Sequence, residues 1–279
     1  MRKTKIVCTI GPASSDPQVF ADMCRAGLNV ARLNFSHGTH EEQQKKIDMI
    51  KAVREELGLP IAIMLDTKGP EYRIGTFQNG PVTIADGAEF TFTTRKNVKG
   101  DASIVSVSYP GLADELSAGD TVLVNNGLVI FRVESVDGTE IHCRAEAGGT
   151  LSDRKSMSFP GKVLKQIYLS EQDKADLLFG IRNGVDYVAA SFVSRREDVD
   201  DLRRFLRENG GGDIDVIAKI ENRAGIDNIE QICEACEGIM IGRGDLGVEV
   251  PFAELPAIQK YLITKCRLLG KRVITATEM

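Results

Sequence analysis

Residues 30–35 read VARLNF, and Thr39-x-x-Glu42 follows shortly after them. A run this apolar can be buried on both faces, as the strands of a parallel sheet are. The threonine and glutamate form a capping box, a pattern that opens helices. The segment therefore predicts a strand, a loop and a helix in succession, which is the repeating unit of α/β proteins.

The same unit recurs on both sides of this segment. Residues 15–17 (SDP) open a helix with a cap and a first-turn proline, and Ser170-x-x-Asp173 is a second capping box. The strand-like runs of one parallel series lie at 5–10, 30–35, 61–66, 187–193, 215–220, 238–241 and 272–277. This series favours an α/β fold of the (β/α)8 (TIM) barrel type over an open doubly wound sheet. No eighth strand follows, so we expect an incomplete barrel with seven of its eight strands and hence a truncated chain.

The middle of the chain has a different pattern. Asn-Gly or Asp-Gly pairs at 79–80, 86–87, 126–127 and 137–138 separate short β-branched runs, which is typical of hairpins. We therefore predict an inserted all-β lid domain. The predicted division is residues 1–69 for barrel strands one to three, 70–162 for the lid, and 163–279 for barrel strands four to seven.

Composition limits the classes of function. The chain has 35 basic and 40 acidic residues and a net charge of −5, so no general basic field attracts nucleic acid or anionic lipid. No apolar run approaches the ~18 residues of a membrane helix, and we expect a cytoplasmic protein. Six cysteines are too sparse for a disulfide framework. Cys233-x-x-Cys236 lacks a second pair or a nearby histidine that would complete a zinc site.

Candidate reactive residues cluster where the predicted strands end, which is where barrel active sites lie. Side-chain alternation places Lys219 and Glu221 on the same, inward side of strand five. The carboxylates of Glu221 and Asp245 suit Mg²⁺, which usually takes one or two of them. Arg32 and Lys219 beside that ion would neutralise a phosphoryl group in transfer. The alternative is that these charges only pair with one another.

Residues 242–247 (GRGDLG) also match the dinucleotide-binding pattern G-x-G-x-x-G. Asp245 would place a negative charge among the amides meant for pyrophosphate. In addition, the motif follows the sixth strand, whereas a Rossmann fingerprint lies near the first. We therefore interpret the turn as part of a metal and anion site.

Several independent stretches resemble the pyruvate kinase family over essentially the whole chain. They are residues 4–12 (TKIVCTIGP), 31–38 (ARLNFSHG), 66–71 (DTKGPE), 217–222 (IAKIEN) and 243–248 (RGDLGV). The resemblance implies that the chain is the N-terminal, catalytic portion of such a protein. It implies Mg²⁺ at Glu221 and Asp245, and K⁺ at Asn34, Ser36, Asp66 and Thr67.

The resemblance also implies roles toward substrates. Lys219 would act on the phosphoryl group in flight, as a catalytic residue with Arg32 and Thr277. Phosphoenolpyruvate would be positioned by Arg32, Gly244, Asp245 and Thr277. ADP or ATP would meet Asn34, Phe35, Ser36, His37, Arg73 and Lys155 as the lid closes.

The implied reaction is phosphoryl transfer from phosphoenolpyruvate to ADP, giving pyruvate and ATP, the last step of glycolysis. The parent protein is expected to be a homotetramer with no nucleic-acid or membrane partner. Two alternatives stay open. One is a Mg²⁺-dependent pyruvate-lyase or aldolase barrel, which needs no nucleotide. The other is a catalytically impaired binding fragment, because an unclosed barrel would misplace Thr277.

Overall fold

The computed structural model describes residues 3–276. Its strands, in chain order, are β1 Ile6–Thr9, β2 Leu28–Asn34, β3 Ala62–Asp66, β4 Tyr72–Arg73, β5 Val82–Ile84, β6 Glu89–Thr93, β7 Ile104–Ser106, β8 Thr121–Val124, β9 Val129–Asp137, β10 Glu140–Ala147, β11 Gly149–Leu151, β12 Ser156–Ser158, β13 Tyr187–Ala190, β14 Asp215–Ile220, β15 Gly238–Ile241 and β16 Arg272–Thr275. Its α-helices are α1 Pro17–Ala26, α2 His40–Leu57, α3 Leu112–Glu115, α4 Glu171–Arg182, α5 Arg196–Glu208, α6 Arg223–Asp227, α7 Ile229–Ala235, α8 Arg243–Glu249 and α9 Leu255–Leu268, with short 3-10 turns at Pro12–Ser14 and Phe252–Glu254.

The barrel strands form a single sheet in the order β1, β2, β3, β13, β14, β15, β16, and every neighbouring pair is parallel. This confirms the predicted seven-strand α/β series. The last predicted strand extends to Thr277, and that residue lies outside the described residues.

The helices between these strands begin where the capping patterns predict. The Asp16 carboxylate accepts hydrogen bonds from the first-turn backbone of α1, and Thr39 forms a reciprocal capping box with Glu42 at the start of α2. Ser170 and Asp173 do the same for α4. Such caps satisfy backbone N–H groups that the first turn of a helix leaves without partners.

The fourth barrel strand is shorter than predicted. We predict it to run to Val193, which is wrong, because β13 ends at Ala190. Phe192 adopts a left-handed backbone with φ of 55°, and a strand cannot continue through that conformation. The chain therefore turns out of the sheet at Ser191 and Phe192, directly at the barrel mouth.

The inner strands β3, β13, β14 and β15 of the parallel sheet are buried on both faces, whereas the outermost strands β1 and β16 are partly exposed. The main hydrophobic core lies between the sheet and the helices outside it. On the inner side, Met64, Ala189, Ile217 and Met240 form a smaller cluster. Because side chains alternate along a strand, the inward position of Ile217 places Lys219 on the same inner side, nearer the mouth.

The strands between Tyr72 and Ser158 build separate sheets. One has the order β4, β12, β8, β9, β10, β6, β7, and β11 pairs with β5 in a second. This region has its own hydrophobic core, in which the rings of Phe90, Phe92 and Phe131 pack edge to face or tilted. Its role as a lid and the exact division of the chain stay predictions. Among residues 3–276, no helix combines the length and the apolar character needed to cross a bilayer.

Candidate active site

Lys219 lies at the centre of the polar mouth and has three hydrogen-bond acceptors around its ammonium. Its Nζ atom lies 3.0 Å from Asp66 Oδ1, 3.0 Å from Glu221 Oε1 and 2.7 Å from Ser191 Oγ. Burial by itself lowers the pKa of Lys219, but the charges of Glu221 and Asp66 outweigh it. The pKa therefore lies above its ordinary value, and the buried side chain carries a fixed positive charge.

Glu221 faces the same cavity and is only 3% exposed. One carboxylate oxygen pairs with Lys219, and the other accepts a hydrogen bond of 2.8 Å from the Phe192 backbone N–H. Burial raises the pKa of Glu221 to about 7, with a contribution from the charge of Asp245, although Lys219 pulls it down. A carboxylate with this pKa is only partly ionised at neutral pH, because burial disfavours its charged form more than Lys219 favours it.

Gly242 makes room for this carboxylate. A Cβ atom at that position would lie 2.5 Å from Glu221 Cγ and 2.8 Å from Glu221 Oε1. Glycine is therefore required at the residue after β15, because the Glu221 side chain approaches the backbone closely there.

Asp245 stands in the first turn of α8, where the residue is open to solvent on one side while its carboxylate turns toward the cavity that it lines. Loss of water around its carboxylate raises its pKa, as does the charge of Glu71, while Lys219 and a side-chain hydrogen bond with Glu221 lower it. Two neighbouring carboxylates repel each other when both are ionised, so a further cation would stabilise the pair.

The Glu221 and Asp245 pair fits a Mg²⁺ ion. Among residues 3–276, no three His, Cys, Asp or Glu side chains are grouped to hold a metal. The candidate ligands are these two carboxylates. That is the usual number for Mg²⁺, which completes its octahedron with water and substrate oxygens. The raised pKa of both groups is the behaviour expected of carboxylates that a cation would neutralise.

Arg32 is held at two points beside Lys219. Its Nε atom lies 2.6 Å from Asp66 Oδ2, and its Nη1 donates to Thr9 Oγ1 at 2.6 Å. The parallel register of β1 and β2 sets Thr9 opposite Arg32. Asp66 thus bridges the two cations through its two carboxylate oxygens, and the guanidinium is fixed at the mouth.

The residues predicted to hold K⁺ follow two adjacent strands. Asn34 is the register partner of Asp66, and its side-chain oxygen accepts a hydrogen bond from the Ser36 N–H at 2.9 Å. Thr67 is buried, and its hydroxyl lies 3.4 Å from the Ala189 carbonyl and accepts from the Ser191 N–H at 3.1 Å. These side-chain and backbone oxygens are the ligand type that hard cations prefer.

A cavity of 1280 Å³ opens at this mouth and brings most of the predicted residues together. Those that line it are Arg32, Asn34, Ser36, His37, Asp66, Arg73, Lys219, Glu221, Gly244 and Asp245. Thr277 was also predicted here, but it lies outside the described residues.

The other residues predicted to contact the nucleotide do not all line the barrel-mouth cavity. Lys155 lines a second cavity of 350 Å³ against the β region, and Arg73 lines both cavities. Arg73 also forms a two-point ion pair with Glu71 at 3.0 and 2.8 Å. The Phe35 ring packs in the core against Phe179, so its side chain does not face the cavity.

Two residues of the site were missed by the sequence reasoning, namely Thr9 and Ser191. Both stand at the end of a barrel strand or just beyond it, where barrel chemistry is expected. Inspecting those positions on strands one and four would have found them. The cysteines of the Cys233-x-x-Cys236 motif are buried in the core. There Cys233 Sγ lies 3.2 Å from Cys266 Sγ.

The fold and site together define a parallel α/β barrel with a lysine and two metal-suited carboxylates at its mouth. Over residues 1–279 the chain matches the family model described as pyruvate kinase, barrel domain, and it belongs to the pyruvate kinase family.

Three relatives illustrate the match. The chain is 44% identical over 279 residues to a pyruvate kinase of Clostridium perfringens, covering 100% of this chain and 59% of the relative. It is 46% identical to one of Geobacillus stearothermophilus and 47% identical to one of Bacillus licheniformis, covering 100% of this chain and 48% of each relative. The chain therefore spans about half the length of the curated relatives it matches.

Proposed function

We propose that this protein transfers the phosphoryl group of phosphoenolpyruvate to ADP. The observation that carries the proposal is the position of Lys219. Its buried ammonium lies 3.0 Å from Glu221, and Asp245 stands at the entrance to the same cavity. A fixed positive charge beside a pair of metal-suited carboxylates is what phosphoryl transfer requires, because catalysis of that reaction is mainly positioning and charge stabilisation.

Arg32 and Lys219 have complementary roles in this proposal. Arg32, held by Thr9 and Asp66, binds the phosphate oxygens of phosphoenolpyruvate and orients them. Lys219 stabilises the charge on the phosphoryl group while its bond to the enol oxygen breaks and a terminal oxygen of ADP attacks. The remaining enolate then gains a proton on carbon to become pyruvate.

The proposed cofactors are Mg²⁺ and K⁺. Mg²⁺ held by Glu221 and Asp245 would neutralise charge on the substrate oxygens. K⁺ is assigned to Asn34, Ser36, Asp66 and Thr67. The support for K⁺ is that these residues lie at the ends of β2 and β3 next to Arg32, with oxygen atoms at each position. A homotetramer in the cytoplasm stays an expectation from the family resemblance.

The contact between nucleotide and protein is proposed for His37, Arg73 and Lys155. The support is that Arg73 lines both the barrel-mouth cavity and the cavity under the β region. An arginine at that junction can bind a phosphate chain that runs from one to the other. Closure of the β region as a lid would bring the positive charges of Arg73 and Lys155 to the nucleotide.

A coupled assay on the protein in its full natural length tests the proposal. With phosphoenolpyruvate, Mg²⁺ and K⁺ present, pyruvate should form only when ADP is added, and ATP should form in equal amount. Pyruvate formed without ADP would favour the lyase or aldolase alternative, and no pyruvate under any condition would contradict the proposal. For the 279-residue chain, calorimetry with Mg²⁺ and phosphoenolpyruvate distinguishes a preformed site from an impaired one.

A further inference from the structure

Ser191 contacts Lys219 directly and is the first residue beyond β13. It is 2% exposed, and its Oγ atom lies 2.7 Å from Lys219 Nζ and 2.6 Å from the Thr67 carbonyl oxygen. A hydroxyl has a single proton to donate. The short contact with the carbonyl takes that proton, so the Ser191 oxygen accepts a hydrogen bond from the Lys219 ammonium.

The backbone around Ser191 fixes this hydroxyl in place. Its N–H donates to Thr67 Oγ1 at 3.1 Å, and its carbonyl accepts from the hydroxyl of the buried Tyr168 at 2.7 Å. Gly69 approaches so closely that a Cβ there would lie 2.8 Å from the Ser191 carbonyl oxygen. Contacts on several sides therefore leave the serine little freedom to turn away from the lysine.

The chemistry of the three acceptors around Lys219 explains why a serine is suited to this place. An ammonium has three N–H groups. Asp66 and Glu221 accept two of them and each adds a negative charge. A third carboxylate would repel a phosphate, whereas the neutral Ser191 oxygen completes the set without adding charge.

We propose that Ser191 is a positioning residue for Lys219, holding the ammonium where it meets the phosphoryl group in transfer. This inference rests on the proposed function and goes beyond it by assigning a role to a residue outside the predicted set. Substrate contact is made by Lys219, and Ser191 acts through it.

The test compares Ser191→Ala with Ser194→Ala in the protein in its full natural length. Ser194 lies in the same loop, but its hydroxyl donates to the Phe192 carbonyl and accepts from the Asn222 side chain. Ser191→Ala should lower kcat by roughly 10- to 100-fold, because misplacing a catalytic group by about 1 Å has effects of that size. The KM for phosphoenolpyruvate should change far less, since Arg32 is untouched, and Ser194→Ala should retain the kinetics of the wild type.

Thermal unfolding and Mg²⁺ calorimetry on the same variants separate positioning from a structural role. We expect Ser191→Ala to retain the Tm and the Mg²⁺ affinity of the wild type while kcat falls. Unchanged kcat would overturn the inference. A fall in kcat accompanied by a lower Tm and a weaker Mg²⁺ affinity would also overturn it, because the serine would then have a general structural role. If the wild type made no pyruvate from phosphoenolpyruvate and ADP, the proposed function would be wrong and this inference with it.

Discussion

The ammonium of Lys219 lies 3.0 Å from the carboxylate of Glu221, and both side chains are almost entirely withdrawn from water. In spite of this ion pair, burial and the nearby charge of Asp245 keep the pKa of Glu221 at about 7. The lysine alone therefore does not neutralise the carboxylates at the barrel mouth. A divalent cation would supply the missing positive charge.

This relationship predicts that Mg²⁺ binding weakens in acid. Mg²⁺ takes the ionised carboxylate, so below about pH 7 the ion must displace a proton from Glu221. The apparent affinity should fall by roughly tenfold for each pH unit below that point and level off above it. Calorimetry at pH 6 in two buffers of different ionisation enthalpy should show proton release that is nearly absent at pH 8. Affinity independent of pH, with no proton release, would contradict this picture of Glu221.

Gly242→Ala should displace Glu221, because the new Cβ would lie 2.5 Å from Glu221 Cγ. We expect Mg²⁺ affinity and kcat to fall by roughly 10- to 100-fold, as for other changes that disturb the support of a metal ligand. Gly247→Ala is the matched control in the neighbouring helix, where the nearest atoms lie at 3.6 and 3.7 Å and the methyl group fits. Equal behaviour of the two variants would show that close packing at Gly242 has no part in the site.

Gly69→Ala and Gly58→Ala form a second matched pair. Both glycines have a left-handed backbone, with φ of 69° and 61°, so each alanine carries a similar strain of about 1 kcal/mol. A Cβ at Gly58 meets nothing within 4 Å, whereas one at Gly69 would lie 2.8 Å from the Ser191 carbonyl oxygen.

We therefore expect Gly69→Ala to lower the free energy of unfolding by more than Gly58→Ala does, and to lower kcat as well. Denaturant unfolding followed by circular dichroism, together with steady-state kinetics, measures both effects. If Gly69→Ala retained full activity and was no less stable than Gly58→Ala, the contact between Gly69 and Ser191 would not matter to the site.

The local parts of the fold were predictable from sequence, because their signals lie within a few residues. Thr39 and Glu42 cap α2 as the capping box requires, and alternation correctly placed Lys219 and Glu221 on one side of β14. The end of β13 was not predictable in this way. Phe192 is an apolar residue that prefers strands, and its left-handed conformation arises from the tertiary contacts around it.

Side-chain contacts between neighbouring strands of the sheet were likewise beyond the sequence pattern. The hydrogen bond between Thr9 and Arg32 depends on the register of β1 against β2, and the one between Ser191 and Lys219 on the register of β13 against β14. Neither register can be read from the periodicity of a single strand. The pKa of Glu221 depends on burial by several elements at once, which the residue type does not reveal.

The most direct test of the account is the transfer of a ³²P-labelled phosphoryl group from phosphoenolpyruvate to ADP by the wild type, Lys219→Met and Lys45→Met. Lys45 is an exposed lysine of α2 and serves as the control for loss of one positive charge. We predict labelled ATP from the wild type and from Lys45→Met, and a rate at least about 10²-fold lower from Lys219→Met, the scale on which removal of one stabilising group acts. Equal rates for Lys219→Met and the wild type would contradict the central role assigned to Lys219.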